Sequence, residues 1–599
     1  MACILAAALS ATSVHADSKC HIARVAELPI TMNNLRPIVP VKINGQDAKF
    51  LLDSGAFYSM ISTATADQYK LRQVPGPWGL RVIGVGGTAA VTVTTVKEFS
   101  IIGVTIKNVE FLVGGSEVGS AGLLGQNLLE RFDVEYDLSN GAIRLFHTEG
   151  CEHARLAYWL TPNQDFSFMQ IDRIDPLHPH TIGVGYVNGQ KIRVEFDSGA
   201  YTSLLSLRAA QRAGIKPDSP GVVENGFTSG IGRDRVKEYI GTFSSFQIGD
   251  GEEIKNAKLR FADMGQLDTD MLLGADFFIS HRIFVANKEH KLFLSYNGGA
   301  VFNLSKGATS AGAAPESGGV DQPVTAQQPS STQLSEAKAP ADAAEIARHG
   351  SALAARRDFV PALAELSKAI ELSPNEPEYY FQRANAYWAD RQPDLALVDL
   401  DHVISLKQDF LPAYLPRAEI KLWKKDLTGA VADLEAVDKL APKQADLRFQ
   451  LAQTYERIDR LPAAIEQLGI WIQSHPDDSR MGQAFASRCY SRALQNQDLG
   501  GALNDCNSSL HRVDKADKNY SFIYVDRGMV RLRQGDFVQA VSDCDHALKI
   551  MPKNARALYV RAVAESHQNK KVESAADLKS AEEIAPKIAE RFERYGITP

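Results

Sequence analysis

The pattern of apolar and polar positions divides the chain into two regions of different periodicity. Between residues 28 and 300, short stretches of alternating apolar and polar residues, such as Ala90 to Val96, are separated by Gly and Asn-Gly turns. Such alternation predicts β-strands. From about residue 342 onward, Ala and Leu recur at the spacing of an amphipathic helix. The pattern therefore predicts an all-β region followed by an all-α region.

A segment of biased composition separates the two regions. Residues 305–341 consist mainly of Ala, Ser, Gly, Pro and Gln, with almost no large apolar residues. Such a segment cannot bury enough apolar surface to offset the entropy of ordering it. We therefore expect residues 305–341 to form a flexible linker.

The helical region repeats one pattern of small residues and prolines along its length. Prolines mark the positions where the second helix of a repeat would end, at Pro374, Pro442, Pro476, Pro552 and Pro586. Small residues stand at fixed distances before these positions. Small residues are required where two packed helices approach closely, and the pattern resembles the tetratricopeptide repeat. We expect about seven repeats over residues 342–599, with residues 588–596 as a capping helix. Because stacked repeats form an extended binding surface, a protein partner is also expected.

The β-rich region contains a duplication of its own. Two apolar strands, each preceded by Asn-Gly-Gln, run into Asp-Ser-Gly-Ala at residues 53–56 and 197–200. A Gly-rich segment follows at the same offset from each Asp, and a Leu-Leu-Gly sequence begins at Leu123 and at Leu272. Four landmarks in the same order at near-equal offsets indicate two related lobes, which we place at residues 28–150 and 154–300.

Taken together, these landmarks resemble the pepsin and retropepsin group of aspartic proteases, in particular bacterial retropepsin-like proteins. The resemblance covers about residues 28–300 and implies a bilobed all-β fold in which each lobe supplies one carboxylate, Asp53 and Asp197. Two such carboxylates share one proton, so that one acts as general base on a water and the other donates to the scissile carbonyl.

The resemblance also assigns supporting roles. The hydroxyls of Ser54 and Ser198 are expected to join the two active-site loops, and Gly55 and Gly199 to permit the tight turns that aim the carboxylates. Flaps over the substrate are expected at two Gly-rich hairpins, although ordinary hairpins with glycine turns have the same pattern. The flap residues are Gly84, Gly86, Gly87, Gly230 and Gly232.

The chain departs from the viral members of this group at one pair of positions. Those enzymes carry an Arg directly after the apolar-apolar-Gly sequence, paired with an Asp four residues past the catalytic one. Here Gln126 and Ala275 stand in the Arg positions, and Phe57 and Tyr201 stand in the Asp positions. Because both partners are replaced together, we expect a different arrangement to join the lobes.

Composition and charge exclude several classes of function. The chain has 65 Lys and Arg against 72 Asp and Glu, so it lacks the basic surplus typical of nucleic-acid-binding domains. No apolar run reaches the roughly 20 residues of a membrane span. No C-x-x-C or H-E-x-x-H sequence occurs, so neither a metal nor another cofactor is expected.

The amino terminus and the cysteines suggest an exported bacterial protein, periplasmic or secreted. Residues 1–16 resemble a signal peptide, with an apolar stretch and a small-residue cleavage site but no basic residue before it. Two cysteine pairs suit an oxidising compartment and leave Cys544 as a buried thiol. The disulfide candidates are Cys20, Cys151, Cys489 and Cys506. The sequence His178-Pro179-His180 is expected to lie in an exposed loop.

Three hypotheses follow for the function. In the first, one chain forms an aspartic endopeptidase with an intramolecular Asp53/Asp197 site, and the repeats recruit substrate or partner. In the second, the lobes are an inactive clamp in a peptide-binding scaffold protein. In the third, each lobe pairs with a lobe of another chain.

Overall fold

The computed structural model describes residues 20–76, 80–115, 120–161, 164–172, 180–228, 230, 235–265, 267–302, 339–513, 515, 517 and 519–599. The predicted signal peptide, most of the predicted linker, Gly232, His178 and Pro179 lie outside these residues.

The described residues up to position 302 form mainly strands, as the alternating pattern predicts. The first set of elements is β1 (His21–Pro29), β2 (Thr31–Asn33), β3 (Arg36–Ile43), β4 (Gln46–Leu52), β5 (Met60–Ile61), α1 (Thr63–Gln68), β6 (Gln73–Pro75), β7 (Arg81–Gly84), β8 (Gly87–Ala90), β9 (Thr92–Ile101), β10 (Val104–Val113), β11 (Gly122–Leu124), α2 (Gln126–Leu129), β12 (Asp133–Asp137) and β13 (Ala142–Glu149). The second set is β14 (Ser167–Gln170), β15 (Ile182–Val187), β16 (Gln190–Phe196), β17 (Leu204–Ser206), α3 (Leu207–Arg212), β18 (Val223–Thr228), β19 (Val236–Ile248), β20 (Glu252–Ala262), β21 (Met271–Leu273), α4 (Ala275–Phe278), β22 (His281–Ala286) and β23 (Lys291–Tyr296).

From residue 339 the described chain is helical. Its helices are α5 (Ala339–Ala355), α6 (Phe359–Leu372), α7 (Pro377–Ala389), α8 (Pro393–Leu406), α9 (Tyr414–Trp423), α10 (Leu427–Leu440), α11 (Leu447–Arg457), α12 (Leu461–Ser474), α13 (Met481–Gln495), α14 (Leu499–Arg512), α15 (Asn519–Arg533), α16 (Phe537–Ile550), α17 (Ala555–His567), α18 (Lys571–Ile584) and α19 (Ile588–Glu593). Short 3-10 helices span Leu138–Asn140 and Leu411–Ala413.

The chain divides into two compact units, each assembled from separate segments. Of the described residues, those within 1–39, 132–166 and 275–436 form one unit, and those within 40–131, 167–274 and 437–599 form the other.

The second unit contains two closed β-barrels with one topology. The first follows the strand order β3-β4-β11-β5-β10-β9-β6, and the second follows β15-β16-β21-β17-β20-β19-β18. Each sheet closes on itself, through pairing of β3 with β9 and of β15 with β19. The matching order shows that the sequence duplication is a duplication of structure, and it confirms the predicted bilobed all-β fold.

The first unit holds a sheet that the predicted lobe boundaries did not anticipate. Strands β1, β13, β12, β22 and β23 are hydrogen-bonded in that order, with Val134 opposite Val285. Strands from the ends of both predicted lobes therefore share one sheet, and its first strand begins at His21, before the expected start at residue 28. A disulfide joins Cys20 to Cys151 beside this sheet.

The helices form consecutive pairs, from α5–α6 through α17–α18, followed by α19, which is the arrangement of a helical repeat array. The small residues of the repeating pattern are fully buried between helices, at Ala362, Ala396, Ala430, Ala464 and Ala540. A disulfide links Cys489 on α13 to Cys506 on α14, and Cys544 is a buried free thiol. No described helix is long and apolar enough to span a bilayer.

The repeats contain a recurring ion pair that the sequence pattern did not predict. An Arg on the first helix of a pair contacts an Asp on the second helix, at the same sequence separation each time and at distances of 2.5 to 2.7 Å. The pairs are Arg383–Asp399, Arg417–Asp433, Arg527–Asp543 and Arg561–Asp577. Because each Asp is buried, the Arg is needed to compensate its charge.

Candidate active site

The two predicted catalytic residues stand at the ends of equivalent buried strands. β4 runs parallel to β11, and β16 runs parallel to β21. The amide of Asp53 donates to the Leu124 carbonyl at 3.0 Å, and the amide of Asp197 donates to the Leu273 carbonyl at 2.9 Å. The Leu-Leu-Gly strands therefore anchor the backbone of each Asp at the point where its strand gives way to a loop.

The loop after each Asp fixes the orientation of its carboxyl group. Oδ1 of Asp53 accepts hydrogen bonds from the amides of Gly55 and Ala56, at 3.0 and 2.9 Å. Oδ1 of Asp197 accepts the equivalent bonds from the amides of Gly199 and Ala200, also at 3.0 and 2.9 Å. One oxygen of each carboxyl is thus held by the turn, while both Asp residues remain partly exposed.

The structure brings the two carboxyl groups together. The side chains of Asp53 and Asp197 are close enough that each shifts the pKa of the other. A Cβ atom placed on Gly55 would overlap the carboxyl of Asp197, and one placed on Gly199 would overlap the carboxyl of Asp53. Each glycine therefore makes room for the carboxylate of the other lobe, a role beyond the tight turn that the sequence suggested.

The electrostatics favour a proton shared between the pair. Desolvation by the surrounding protein raises the pKa of Asp53, against the lowering effect of the hydrogen bonds it receives. Desolvation, with the added negative charges of Asp53 and Glu195, holds the pKa of Asp197 well above its ordinary value. Two adjacent carboxyls titrate as a coupled pair, so the site retains one proton where an isolated carboxyl would be ionised.

The serines of the two loops are joined by a reciprocal hydrogen-bond network. The Ser54 hydroxyl donates to the Phe196 carbonyl at 2.7 Å and accepts from the Ser198 amide at 2.9 Å. The Ser198 hydroxyl donates to the Leu52 carbonyl at 2.9 Å and accepts from the Ser54 amide at 3.1 Å. Each hydroxyl thus bonds the backbone of the other lobe, and both serines are fully buried.

A second pair of serines supports each loop from within its own barrel. The Ser59 hydroxyl accepts from the Gly125 amide at 3.1 Å, and the Ser203 hydroxyl accepts from the Gly274 amide at 2.9 Å. Sequence reasoning assigned these serines no role. The available signal was their position, since each follows its Asp at the same offset in both copies.

The position of the missing Arg is taken over by a different contact between the lobes. Nε2 of Gln126 donates to the Ser54 carbonyl at 2.9 Å and to the Thr181 hydroxyl of the second lobe at 3.3 Å. The Thr181 carbonyl in turn accepts from the Phe196 amide at 3.0 Å. An uncharged side chain therefore connects the first active-site loop to the strand that carries Asp197.

His180 lies next to this contact, and the prediction that His178-Pro179-His180 forms an exposed loop is wrong for His180. Its ring packs on Phe57 with centroids 4.0 Å apart, and its Nδ1 lies 2.7 Å from Oε1 of Glu195. Glu195 is buried two residues before Asp197, where the first lobe has Leu51. His180 is held in this position because it has both an aromatic surface and a buried charge to contact, neither of which the local sequence reveals.

The first predicted flap is a two-stranded hairpin. β7 pairs with β8, with Gly84 opposite Gly87, and Gly87 adopts a φ of 96° that favours glycine. Val85 at the tip of this hairpin packs against an apolar cluster of the second lobe that includes Leu204, Met264 and Leu272. Gly230 lies beside Val85, while Gly232 is outside the described residues.

In chemical terms the site offers an acid and a base in direct contact. Two carboxyls that share a proton can take a proton from water and donate one to a carbonyl oxygen. Among the described side chains, no group of three or more His, Cys, Asp or Glu is arranged to hold a metal ion. A pair of closed barrels that meet at one Asp from each is the arrangement of the aspartic proteases.

Family comparisons agree with this class. The aspartyl protease family matches residues 39–128 and 184–277, and tetratricopeptide repeat families match residues 424–487 and 525–587. The two lobes thus belong to the aspartyl protease family, as retropepsin-like domains, and the helical region belongs to the tetratricopeptide repeats.

Individual relatives match parts of the chain. Mouse DnaJ homolog subfamily C member 3 is 30% identical over 19% of this chain and 24% of its own length. Rat sperm-associated antigen 1 is 24% identical over 51% of this chain and 38% of its own length. Human serine/threonine-protein phosphatase 5 is 31% identical over 16% of this chain and 19% of its own length. The chain therefore spans less than half the length of these curated relatives.

Two of the matches among solved structures also cover parts of the chain. The TPR domain of P58(IPK) is 19% identical, with a TM-score of 0.17, and the match covers 42% of this chain and 98% of that one. MamA protein is 20% identical, with a TM-score of 0.24, over 30% of this chain and 94% of that one.

Proposed function

We propose that this protein is an aspartic endopeptidase in which Asp53 and Asp197 of a single chain activate a water molecule for peptide hydrolysis. The observation that carries the proposal is the contact between the two carboxyl groups, with each loop glycine leaving space for the opposite carboxylate. Because both lobes come from one chain, the active site is an intramolecular pseudo-dimer and the enzyme acts as a monomer.

The two carboxyls share one proton and act as a pair. Desolvation raises the pKa of both Asp53 and Asp197, and the charge of Glu195 adds to this effect at each. In the proposed reaction the protonated carboxyl donates to the carbonyl oxygen of the scissile bond, while the ionised carboxyl takes a proton from the attacking water. The loop amides hold the two carboxyls in the same way, so their hydrogen bonds assign the proton to neither residue alone.

Three further features bear on the setting of the reaction. The disulfides Cys20–Cys151 and Cys489–Cys506 support an oxidising compartment, in keeping with an exported protein. The tetratricopeptide repeats support recruitment of a protein substrate or partner. The flap hairpin around Val85 supports closure over the substrate, which excludes water from the reaction.

Peptide cleavage across a pH series tests the proposal. We expect the full chain to cleave peptides, and the Asp53→Asn and Asp197→Asn variants each to lose nearly all of that activity. Asp67→Asn, an exposed carboxylate at the end of α1 in the same lobe, is the matched control and should cleave like wild type. Unchanged cleavage in both dyad variants would rule out the assignment, and a molecular mass above that of the monomer in the active fraction would favour lobes paired between chains.

The proximity of the two Asp side chains also bears on the non-catalytic alternative. An inactive clamp has no need to hold two carboxyls side by side, because desolvating an adjacent pair of carboxylates costs folding free energy. The site therefore supports catalysis over a clamp that only binds peptide.

A further inference from the structure

The segment that follows α18 folds back along the first helices of the repeats. We call Ile588–Pro599 the returning segment; it comprises α19 and the residues after it. Among the repeats it passes, α13 contacts α15 and α15 contacts α17, so the first helices of neighbouring repeats are adjacent. We call the surface formed by α11 with the turn after it, α13, α15 and α17 the first-helix face.

Two apolar side chains anchor the returning segment on this face. The ring of Phe592 stacks on Tyr559 of α17, with centroids 5.0 Å apart and planes inclined by 13°. Phe592 is only 1% exposed and Ile597 only 2%. Burial of an aromatic ring against another is a strong source of affinity at protein interfaces.

The face also binds the backbone of the returning segment. The Arg533 guanidinium on α15 donates to the Tyr595 carbonyl and, at 3.2 Å, to the Gly596 carbonyl. The Tyr559 hydroxyl donates to the next carbonyl, that of Ile597, at 3.1 Å. Three successive carbonyls are thus bound by side chains of the face. Because such bonds do not depend on the side chains of the bound segment, the face can hold other segments in the same way.

Charge complements the apolar anchors. Around Tyr490 on α13, the face carries the carboxyls of Glu456 and Asp526 and the guanidinium of Arg556. Burial raises the pKa of Glu456 to about 7, so at neutral pH the two carboxyls outweigh Arg556 by less than one charge. Arg591 of the returning segment donates to the Tyr490 hydroxyl at 2.7 Å and brings a positive charge beside these carboxyls. The face therefore favours a basic side chain directly before the aromatic anchor, as in Arg591-Phe592.

Where the returning segment reaches the turn after α11, its contacts with the first-helix face are weaker than those at Phe592 and Ile597. Nη1 of Arg594 lies 3.1 Å from Oδ2 of Asp459, and the Tyr595 hydroxyl donates to the same carboxylate. The Arg594 side chain is 62% exposed and that of Asp459 is 42% exposed. Exposed ion pairs contribute little to stability, so this edge can open without loss of the repeat core.

We propose that the first-helix face is a peptide-binding surface that the returning segment occupies in cis. Its partner is a segment of another protein that carries a basic residue directly before an aromatic one, and this segment binds by displacing Ile588–Pro599. The inference does not depend on peptidase activity, because every contact that carries it lies in the repeats.

The test uses a fluorescently labelled synthetic peptide of residues 588–599 as the probe and the full chain as the receptor. The loosened variant combines Arg594→Ala with Tyr595→Phe, which removes both contacts to Asp459 and preserves the aromatic ring. We expect this variant to bind the probe about three- to tenfold more tightly than wild type, because its own segment loses an exposed ion pair and one hydrogen bond to a carboxylate and competes less well. Adding Arg533→Ala to the loosened variant should abolish probe binding, because the bonds to two carbonyls are lost. Lys579→Ala, an exposed site on α18, is the matched control and should leave probe binding at the wild-type level.

Hydrogen–deuterium exchange accompanies the binding measurement. We expect exchange in the loosened variant to rise within residues 588–599 and to stay unchanged in α11–α18. Equal probe affinity for wild type and the loosened variant would overturn the proposal, as would probe binding that survives Arg533→Ala. A concentration-dependent dimer without a gain in probe binding would assign the face to a second copy of the chain, and would equally overturn the proposal of a separate partner.

Discussion

The network between Ser54 and Ser198 makes a quantitative prediction about how the lobes hold their active-site loops. In Ser198→Ala, the hydroxyl that donates to the Leu52 carbonyl and accepts from the Ser54 amide is lost. The substitution leaves the volume of the side chain almost unchanged and introduces no new group. Its effect therefore reports the two hydrogen bonds directly.

The magnitude follows from burial. Ser198→Ala leaves one buried amide and one buried carbonyl without a partner, and each such group costs about 1–3 kcal/mol. We expect Ser198→Ala to lower the free energy of opening of the two loops by about 2–6 kcal/mol. At about 1.4 kcal/mol for each factor of ten, the lower value corresponds to amide exchange about 30-fold faster. Ser54→Ala should have the same effect, since its two bonds are distinct from those of Ser198 and equivalent to them.

Native-state hydrogen–deuterium exchange of the full chain measures this effect in peptides covering residues 52–56 and 196–200. Both loops should exchange faster in either variant, because each serine bonds the backbone of the opposite lobe. Ser62→Ala is the matched control: it removes a buried hydroxyl that accepts from the Thr65 amide and donates to the Thr65 hydroxyl, both at 3.0 Å, at the start of α1. The faster amide exchange caused by Ser62→Ala should stay within α1. Less than a threefold change in the loops of Ser198→Ala, or a change confined to one lobe, would refute the reasoning.

Other substitutions test the electrostatics of the site and of the repeats. Glu195→Gln removes a negative charge that raises the pKa of both Asp residues, so the pH above which peptide cleavage falls should move to lower pH in a pH–rate profile. Asp197→Asn should stabilise the lobes at neutral pH, by about 1.4 kcal/mol for each unit by which the pKa is raised. The folded state binds the proton on Asp197 more tightly than the unfolded state does, so the gain in unfolding free energy should vanish below the ordinary carboxyl pKa of about 4. Denaturant titration of the variant and wild type at pH 3 and pH 7 checks this sign. Arg383→Ala leaves buried Asp399 without its bidentate partner and should cost about 3–5 kcal/mol in thermal unfolding, whereas Lys424→Ala, which breaks an exposed pair, should cost at most about 1 kcal/mol.

Periodicity was sufficient to predict the two kinds of domain. The constant spacing of small residues such as Ala362 and Ala396 reflects helix contacts that recur locally, so the sequence carries them directly. The shared sheet of the first unit could not be predicted in this way. Its pairing of β12 with β22 joins positions far apart in the chain, such as Val134 and Val285, and no local pattern records which strand lies beside which.

In the candidate active site, too, contiguous motifs were predictable from the sequence, and contacts between distant segments were not. Asp53, Asp197 and their loop neighbours were predictable because the motif is contiguous and occurs twice. Gln126 could be recognised as a replacement, but its partner Thr181 could not, since the two meet only after the lobes are assembled. The prediction for His180 was wrong for a related reason: a His-Pro-His sequence is typical of an exposed loop, and the residues that partly bury His180 come from other parts of the chain.

The close approach of Gly55 to Asp197 and of Gly199 to Asp53 constrains how this chain can evolve. A duplicated domain ordinarily allows one copy to accumulate changes while the other keeps the function. Here each copy shapes the space around the Asp carboxyl of the other, so a side chain gained at either glycine would displace the carboxyl in the opposite copy. The loops at residues 53–56 and 197–200 therefore experience selection as one unit, even where the barrels around them diverge. Among related two-lobed chains, substitutions in one loop should accompany substitutions in the other.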